Sequence, residues 1–117
     1  MPTDQKIDYL EFPASDFKAI QSFYKSAFNW SFDNYGPDYT AFNDGKITGG
    51  FYRSDQCSVT SNGAVLVVLY AIDLEKTRDK VVANGGKIEK EIFSFPGGRR
   101  FHFSDPHGNE LAVWSAN

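Results

Sequence analysis

The sequence predicts an α+β fold of two tandem βαβββ modules, with curved mixed sheets enclosing a cavity and the helices outside. Three observations predict it. The first half reads as an alternating strand, an amphipathic helix and three short strands; the second half repeats that order; and a polar stretch, residues 54–63, lies between them. Module one then covers about residues 5–53 and module two about 64–116 of a single domain, 1–117. Each module is too small to close its own core, so the two pack on each other or on a partner chain.

Ile7 to Phe12 is rich in β-formers and stops at Pro13, which reads as a strand with alternating faces. Ser15 or Asp16 can cap the helix that follows, where Phe17, Ile20, Phe23, Tyr24, Ala27 and Phe28 recur at three- and four-residue intervals. Aromatic residues at that spacing are core-forming, so Phe23 and Tyr24 are read as packing against the sheet. Strands are expected over Trp30 to Tyr35, Tyr39 to Asn43 and Ile47 to Arg53, separated by Gly36-Pro37-Asp38 and Asn43-Asp44-Gly45. In the second half, Ala64 to Ala71 reads as a strand, and Asp73 caps a helix that Asn84-Gly85-Gly86 stops. Lys87 to Phe95, Arg99 to Ser104 and Asn109 to Ser115 complete the second set of strands, with Asp105-Pro106-His107-Gly108 as a hairpin turn.

Composition narrows the function classes. At 117 residues, with 41% hydrophobic and 16% aromatic side chains, the chain has enough apolar surface to order a core. Twelve Lys and Arg against fifteen Asp and Glu leave a net charge of -3, which argues against general binding to nucleic acid or to an anionic membrane. The longest apolar run, Ala64 to Ile72, is too short to span a bilayer, and Met1 to Lys6 has neither the basic start nor the apolar stretch of an export signal, so a cytoplasmic protein is expected. A single cysteine, Cys57, can form neither an internal disulfide nor a thiolate zinc site. No glycine-rich loop precedes a helix, so nucleotide binding is not indicated.

Three segments carry a family resemblance: Leu10-Glu11-Phe12-Pro13-Ala14-Ser15-Asp16, Phe23-Tyr24-Lys25-Ser26-Ala27-Phe28-Asn29-Trp30, and Ser104-Asp105-Pro106-His107-Gly108-Asn109-Glu110-Leu111. Together with the duplicated module, they resemble the vicinal-oxygen-chelate superfamily, which includes glyoxalase I, bleomycin-resistance proteins and extradiol dioxygenases. Gly49-Gly50-Phe51 and Val113-Trp114 look most like the small bacterial glyoxalase-related proteins of that group. The resemblance covers nearly the whole chain.

Metal-dependent members of that superfamily place four ligands, usually His and Glu, on the inner sheet faces. Carried over by position, the four equivalents here are Tyr9, the Gly49-Gly50 pair, Val67 and Ala112, none of them a good donor to a divalent ion. No cofactor is therefore expected, the usual divalent metal site being lost. A displaced site built from Glu11, His102 and Glu110 is the alternative, because strand alternation puts Glu11 with Tyr9, and Glu110 with Ala112 and Trp114.

His102 should pair with or near Ala112 and so face the cavity, where ring-cleaving members of the superfamily carry an acid–base side chain on the same strand. His102 and Glu11 are the candidate catalytic residues, Glu11 because a carboxylate among apolar strand neighbours must face a cavity or pair with an arginine. Arg53, Arg99 and Arg100 could supply that pairing or bind an anionic ligand. Tyr9, Phe51, Val67, Glu110, Ala112 and Trp114 are the candidate ligand-binding residues, an aromatic-walled set suited to a small organic molecule. His107, at a turn tip, is expected to face solvent. The leading expectation is a metal-independent small-molecule-binding protein, a homodimer that completes its cavities by symmetric pairing. The acidic balance and aromatic walls suit the sequestering of a cationic aromatic drug, the mode of bleomycin-resistance members. The alternatives are a metal-dependent lyase, isomerase or dioxygenase with displaced ligands, and a non-catalytic interaction module; whether any reaction is catalysed stays open.

Overall fold

The computed structural model describes residues 2–117. Strand β1 (Tyr9–Ala14) leads into helix α1 (Phe17–Phe28), and β2 (Ser31–Asn34), β3 (Tyr39–Asn43) and β4 (Thr48–Arg53) complete the first module. A single 3-10 turn, Thr60–Asn62, lies in the connection. The second module consists of β5 (Val67–Tyr70), α2 (Leu74–Ala83), β6 (Lys87–Phe95), β7 (Gly98–Ser104) and β8 (Glu110–Ser115). Two four-stranded mixed sheets result, ordered β1-β4-β3-β2 and β5-β8-β7-β6, with β1 parallel to β4 and β5 parallel to β8. The expected duplication is present. The expected enclosure is not, because each sheet keeps its own two edges and the single chain does not close them around a cavity. No helix among the described residues is long and apolar enough to cross a membrane.

Both helices start on an aspartate. Asp16 accepts from the Ala19 N–H at 3.1 Å and Asp73 from the Lys76 N–H at 3.0 Å, so each satisfies a first-turn donor that the helix cannot. Helix α1 stops at Asn29, which takes the left-handed conformation at φ 62°, and Trp30 N–H then reaches back to the Tyr24 carbonyl. That return drops the Trp30 ring into the core, where it stacks at 4.3 Å on Tyr24 and 4.6 Å on Phe42. The strand expected from Trp30 therefore begins at Ser31. Similarly, β5 is four residues long where eight were expected, because the chain leaves the turn at Gly63 (φ 81°) and pairs with β8 only from Val67 onward.

One core serves both modules. Phe12, Phe42 and Phe51 project from the first sheet towards α1, and Phe101, Phe103, Leu111 and Val113 project from the second. Phe23 of α1 packs 5.9 Å from Phe103 of the other module, so the aromatic face of α1 spans the join. Each such ring contributes roughly 1.5–3 kcal/mol on full burial. Alternation along the strands then assigns the intervening residues to the face turned away from the helices, and that face carries the polar chemistry.

Candidate functional site on the open sheet faces

On the open face of the first sheet stand Tyr9, Glu11, Tyr39 and Tyr52. The Tyr39 hydroxyl donates to Glu11 Oε2 at 2.9 Å and accepts from the Tyr9 hydroxyl at 2.6 Å. Burial, together with these bonds to Tyr9 and Glu11, pushes the Tyr39 phenol well above the ordinary tyrosine range. Tyr39 can lean this way because Gly50 lies beneath it, and a Cβ there would meet its hydroxyl. Glu11 thus has a tyrosine partner rather than an arginine. Arg53 bonds Pro37 O, Ser15 O and Asp38, while Arg99 is paired with Glu75.

The second sheet presents two rows across its open face. One is Lys90, His102, Ala112 and Val68 in register; the other is Phe93, Arg100, Trp114 and Tyr70. His102 does pair with Ala112, as expected. Its ring is 3% exposed, and Nδ1 lies 2.9 Å from Glu110 Oε2. The other carboxylate oxygen accepts from both the backbone N–H and the hydroxyl of Thr60, at 3.0 and 2.8 Å. Burial pushes the Glu110 carboxyl up, but the bonds from His102 and Thr60 outweigh it and hold the group below its usual range. A carboxylate at Nδ1 fixes the imidazole proton there and leaves the neutral ring with a lone pair on Nε2. A cleft of about 690 Å³ opens at the Glu110 end of this face, beside Thr60, Lys90 and Ser104. A second, of about 650 Å³, lies between β1 and β5 and is walled by Phe28, Trp30, Val68, Tyr70 and Trp114.

Two expected ligand-binding residues are not on these open faces. Phe51 is wholly buried beneath α1, 5.5 Å from Phe12 and 5.6 Å from Tyr24, and it is Gly50 that faces outward on β4. Val67 pairs with Leu111 on the helix side and lines the cleft between β1 and β5 from there, while Val68 and Tyr70 take the open face of β5. Both corrections are slips of one residue, which reverse a strand's faces. His107 is also not a free turn tip. Its Nε2 faces the Gln56 carbonyl at 2.7 Å, and its Nδ1 accepts the Ser15 N–H at 3.3 Å. Tyr9 and Glu11 lie on one sheet, with His102, Glu110, Ala112 and Trp114 on the other, and no hydrogen bond joins the two sets among the described residues. Sequence reasoning missed Tyr39, Thr60 and Phe93. Alternation along β3 could have found Tyr39, but nothing in the sequence signals that Thr60 caps Glu110.

Among the described residues no three His, Cys, Asp or Glu side chains converge. The strand neighbours of His102 are Ala112 and Lys90, those of Glu11 across its sheet are Gly50 and Ala41, and Glu11 does not approach the His102–Glu110 pair.

The family model of the Glyoxalase/Bleomycin resistance protein/Dioxygenase superfamily matches residues 6–113. The chain belongs to that superfamily. Among solved structures of the same fold, a glyoxalase-related enzyme from Fulvimarina pelagi superposes with a TM-score of 0.78 at 15% identity, covering 95% of this chain and 88% of its own. A fosfomycin resistance protein, FosX, from Listeria monocytogenes, complexed with Mn(II) and a dihydroxypropylphosphonic acid, gives 0.79 at 14% identity over 96% and 90%. A lactoylglutathione lyase from Agrobacterium tumefaciens gives 0.71 at 19% identity over 97% and 96%. No curated protein matches the sequence.

Proposed function

We propose that this superfamily member binds a small organic molecule on the open face of its second sheet without a resident metal ion, and that His102 serves there as a proton acceptor. One observation carries the reading: His102 has its Nδ1 engaged by Glu110 and its Nε2 uncommitted, in a row whose other members, Lys90, Ala112 and Val68, include no imidazole, thiol or carboxylate. A carboxylate behind an imidazole orients the ring and holds its proton on Nδ1, so Nε2 presents a lone pair to a proton donor on the ligand. Trp114 and Tyr70, 4.9 Å apart in an edge arrangement, supply the aromatic wall for the ligand. A relative such as FosX, whose complex includes Mn(II), shares the fold at 14% identity, which leaves its donor set free to differ.

Homodimer formation belongs to the same reading. Ile7, Val65 and Ile72 are each more than three-quarters exposed, next to the ends of the edge strands β1 and β5, which also carry Tyr9, Val68 and Tyr70. A second copy would cover them. The proposed setting is the cytoplasm, with a diffusible ligand.

The test uses EDTA-treated protein and the neutral fluorescent probe N-phenyl-1-naphthylamine. Saturable binding is expected that is lost in Trp114→Ala and unchanged by added nickel, zinc, manganese or ferrous ions. A stoichiometric divalent ion in the purified protein, released by His102→Ala or Glu11→Gln, would overturn the reading.

A further inference from the structure

Only two buried side-chain nitrogen or oxygen atoms among the described residues lack a hydrogen-bond partner, and they are Arg100 Nε and His102 Nε2. They sit two residues apart on one face of one strand. Unpartnered buried polar atoms are rare in folded proteins, because each forfeits its hydration without return. Two side by side, on a face already carrying an oriented imidazole, mark a place where a ligand completes the structure.

The chemistry of the pair specifies that ligand. Arg100 enters no ion pair among the described residues, and its register partners are Phe93 and Trp114. Its guanidinium carbon lies 5.3 Å from the Phe93 ring centre and 5.8 Å from that of Phe95, so its aromatic contacts are made while its charge stays uncompensated. It lacks an anionic acceptor. His102 Nε2, with the proton held on Nδ1, lacks a hydroxyl donor. Lys90, the register partner of His102, adds positive charge, and the one carboxylate bonded to His102, that of Glu110, is already committed to His102 and Thr60. Positions two residues apart on a strand are separated by about 7 Å, the scale of one benzene ring with a substituent at each end.

A ring already occupies this place. Phe93 packs against both groups, 6.0 Å from the His102 ring, and offers neither an acceptor nor a donor. It is 37% exposed and follows a register shift in β6, where Lys90 to Phe93 spans three residues opposite two on β7. Such a bulge loosens the ladder and leaves the side chain free to turn outward.

We propose that Arg100 and His102 form a subsite for a planar aromatic carboxylate bearing a hydroxyl, with the carboxylate on Arg100, the hydroxyl donating to His102 Nε2, and the ligand ring replacing that of Phe93. The proposal rests on the small-molecule reading above and names the class of ligand.

Calorimetric titration of EDTA-treated protein with 4-hydroxybenzoate tests it. Binding is expected to weaken at least ten-fold with 4-hydroxybenzamide, which lacks the charge, and several-fold with benzoate, which lacks the hydroxyl. Arg100→Gln should abolish the preference for acid over amide, His102→Gln the preference for hydroxybenzoate over benzoate, and Phe93→Ala should tighten binding of the acid. Equal affinity for acid and amide, or an unaltered preference in Arg100→Gln protein with a native circular dichroism spectrum, would overturn the proposal. So would absence of 4-hydroxybenzoate binding at millimolar concentration in protein that still binds N-phenyl-1-naphthylamine at Trp114, and in that case the small-molecule reading would survive. Loss of both ligands together with a stoichiometric metal ion would defeat the two readings at once.

Discussion

The Tyr24 hydroxyl donates to Asp105 Oδ2 at 2.8 Å, joining the helix of the first module to the last turn of the second across 81 positions of sequence. Both groups are buried, and the turn is organised around the same carboxylate: Asp105 Oδ1 accepts the N–H groups of His107, Gly108 and Asn109 at 2.9 to 3.0 Å. Asn109 then donates to the Pro13 carbonyl at 2.8 Å, a second tie between modules. The Asp-Pro-His-Gly-Asn turn thus joins the two βαβββ units as well as reversing the chain.

Tyr24→Phe should therefore destabilise the fold by about 1–2 kcal/mol, the worth of a hydrogen bond to a buried carboxylate. Asp105→Ala should cost more, about 3 kcal/mol, because three backbone donors and a phenol lose their acceptor together. Urea denaturation of the two variants measures both, and equal losses would contradict the central place given to Asp105.

The pH dependence follows from the same carboxylate. Burial raises the Asp105 carboxyl above its ordinary 3.8, against the opposing bonds from Tyr24, Asn109 and His107. The folded state holds this proton more tightly than the unfolded chain. Its stabilising contribution is then complete below the unfolded value and lost as pH rises through the folded one. Asp105→Asn cannot ionise, so the difference in stability between wild type and Asp105→Asn should shift towards the variant as pH rises from about 4. Urea midpoints at pH 4 to 7 report it, and a difference that does not change with pH would contradict it.

How much of this was legible depends on the kind of residue. Both helix caps, the aromatic face of α1 and the duplicated order of elements follow from local patterns, because spacing of 3.6, an aspartate before the first turn and paired glycines act within a few residues. Phe51 and Val67 were assigned to the wrong face because alternation alone does not say which face is open: Phe51 turns to α1, and Val67 turns to the helix side, from where it still lines the cleft between β1 and β5. The pairing of His102 with Ala112 was legible because a tight turn fixes the register on both sides of it. Its bond to Glu110 was not, since two residues on neighbouring strands can share a face without their side chains meeting.

The His102–Glu110 pair makes its own prediction. With the carboxylate at Nδ1, nitrogen-15 spectra of neutral His102 should show the proton on Nδ1, and Glu110→Gln should remove that preference. Glu110 lies below its usual 4.5, so its contribution to stability is present above that value and lost as pH falls through the folded one. A Glu110→Gln variant that keeps the wild-type tautomer would show that the pair does not orient the ring.

Gly49 and Gly50 are adjacent and face opposite ways, so alanine at each should fail differently. A Cβ on Gly49 would strike the Leu10 backbone oxygen and the buried Phe42 ring, neither able to move far, so Gly49→Ala should cost about 3 kcal/mol or prevent folding. A Cβ on Gly50 would first meet the Tyr39 side chain at the open face. Gly50→Ala should fold, with Tyr39 turned away from Tyr9 and Glu11 and its phenol titrating closer to the ordinary tyrosine range, which ultraviolet titration reads. Equal losses of stability in the two variants would contradict the assignment of faces on β4.

The proposed homodimer makes the last prediction. Val68 and Tyr70 lie on the open face of the edge strand β5, 42% and 51% exposed in the single chain. Lysine on an exposed strand edge discourages pairing with another chain, through its charge and the cost of desolvating it. Val68→Lys should therefore sediment as a monomer at concentrations where the wild type is a dimer, with an unchanged circular dichroism spectrum because Val68 is not part of the buried core. Ser22→Lys, exposed on α1 and not part of the cleft that Val68 lines, adds the same charge as a control and should leave the dimer intact. A wild-type protein that sediments as a monomer at 0.1 mM, with Val65, Val68 and Tyr70 still exposed, would refute the dimer and leave the His102 site to a single chain.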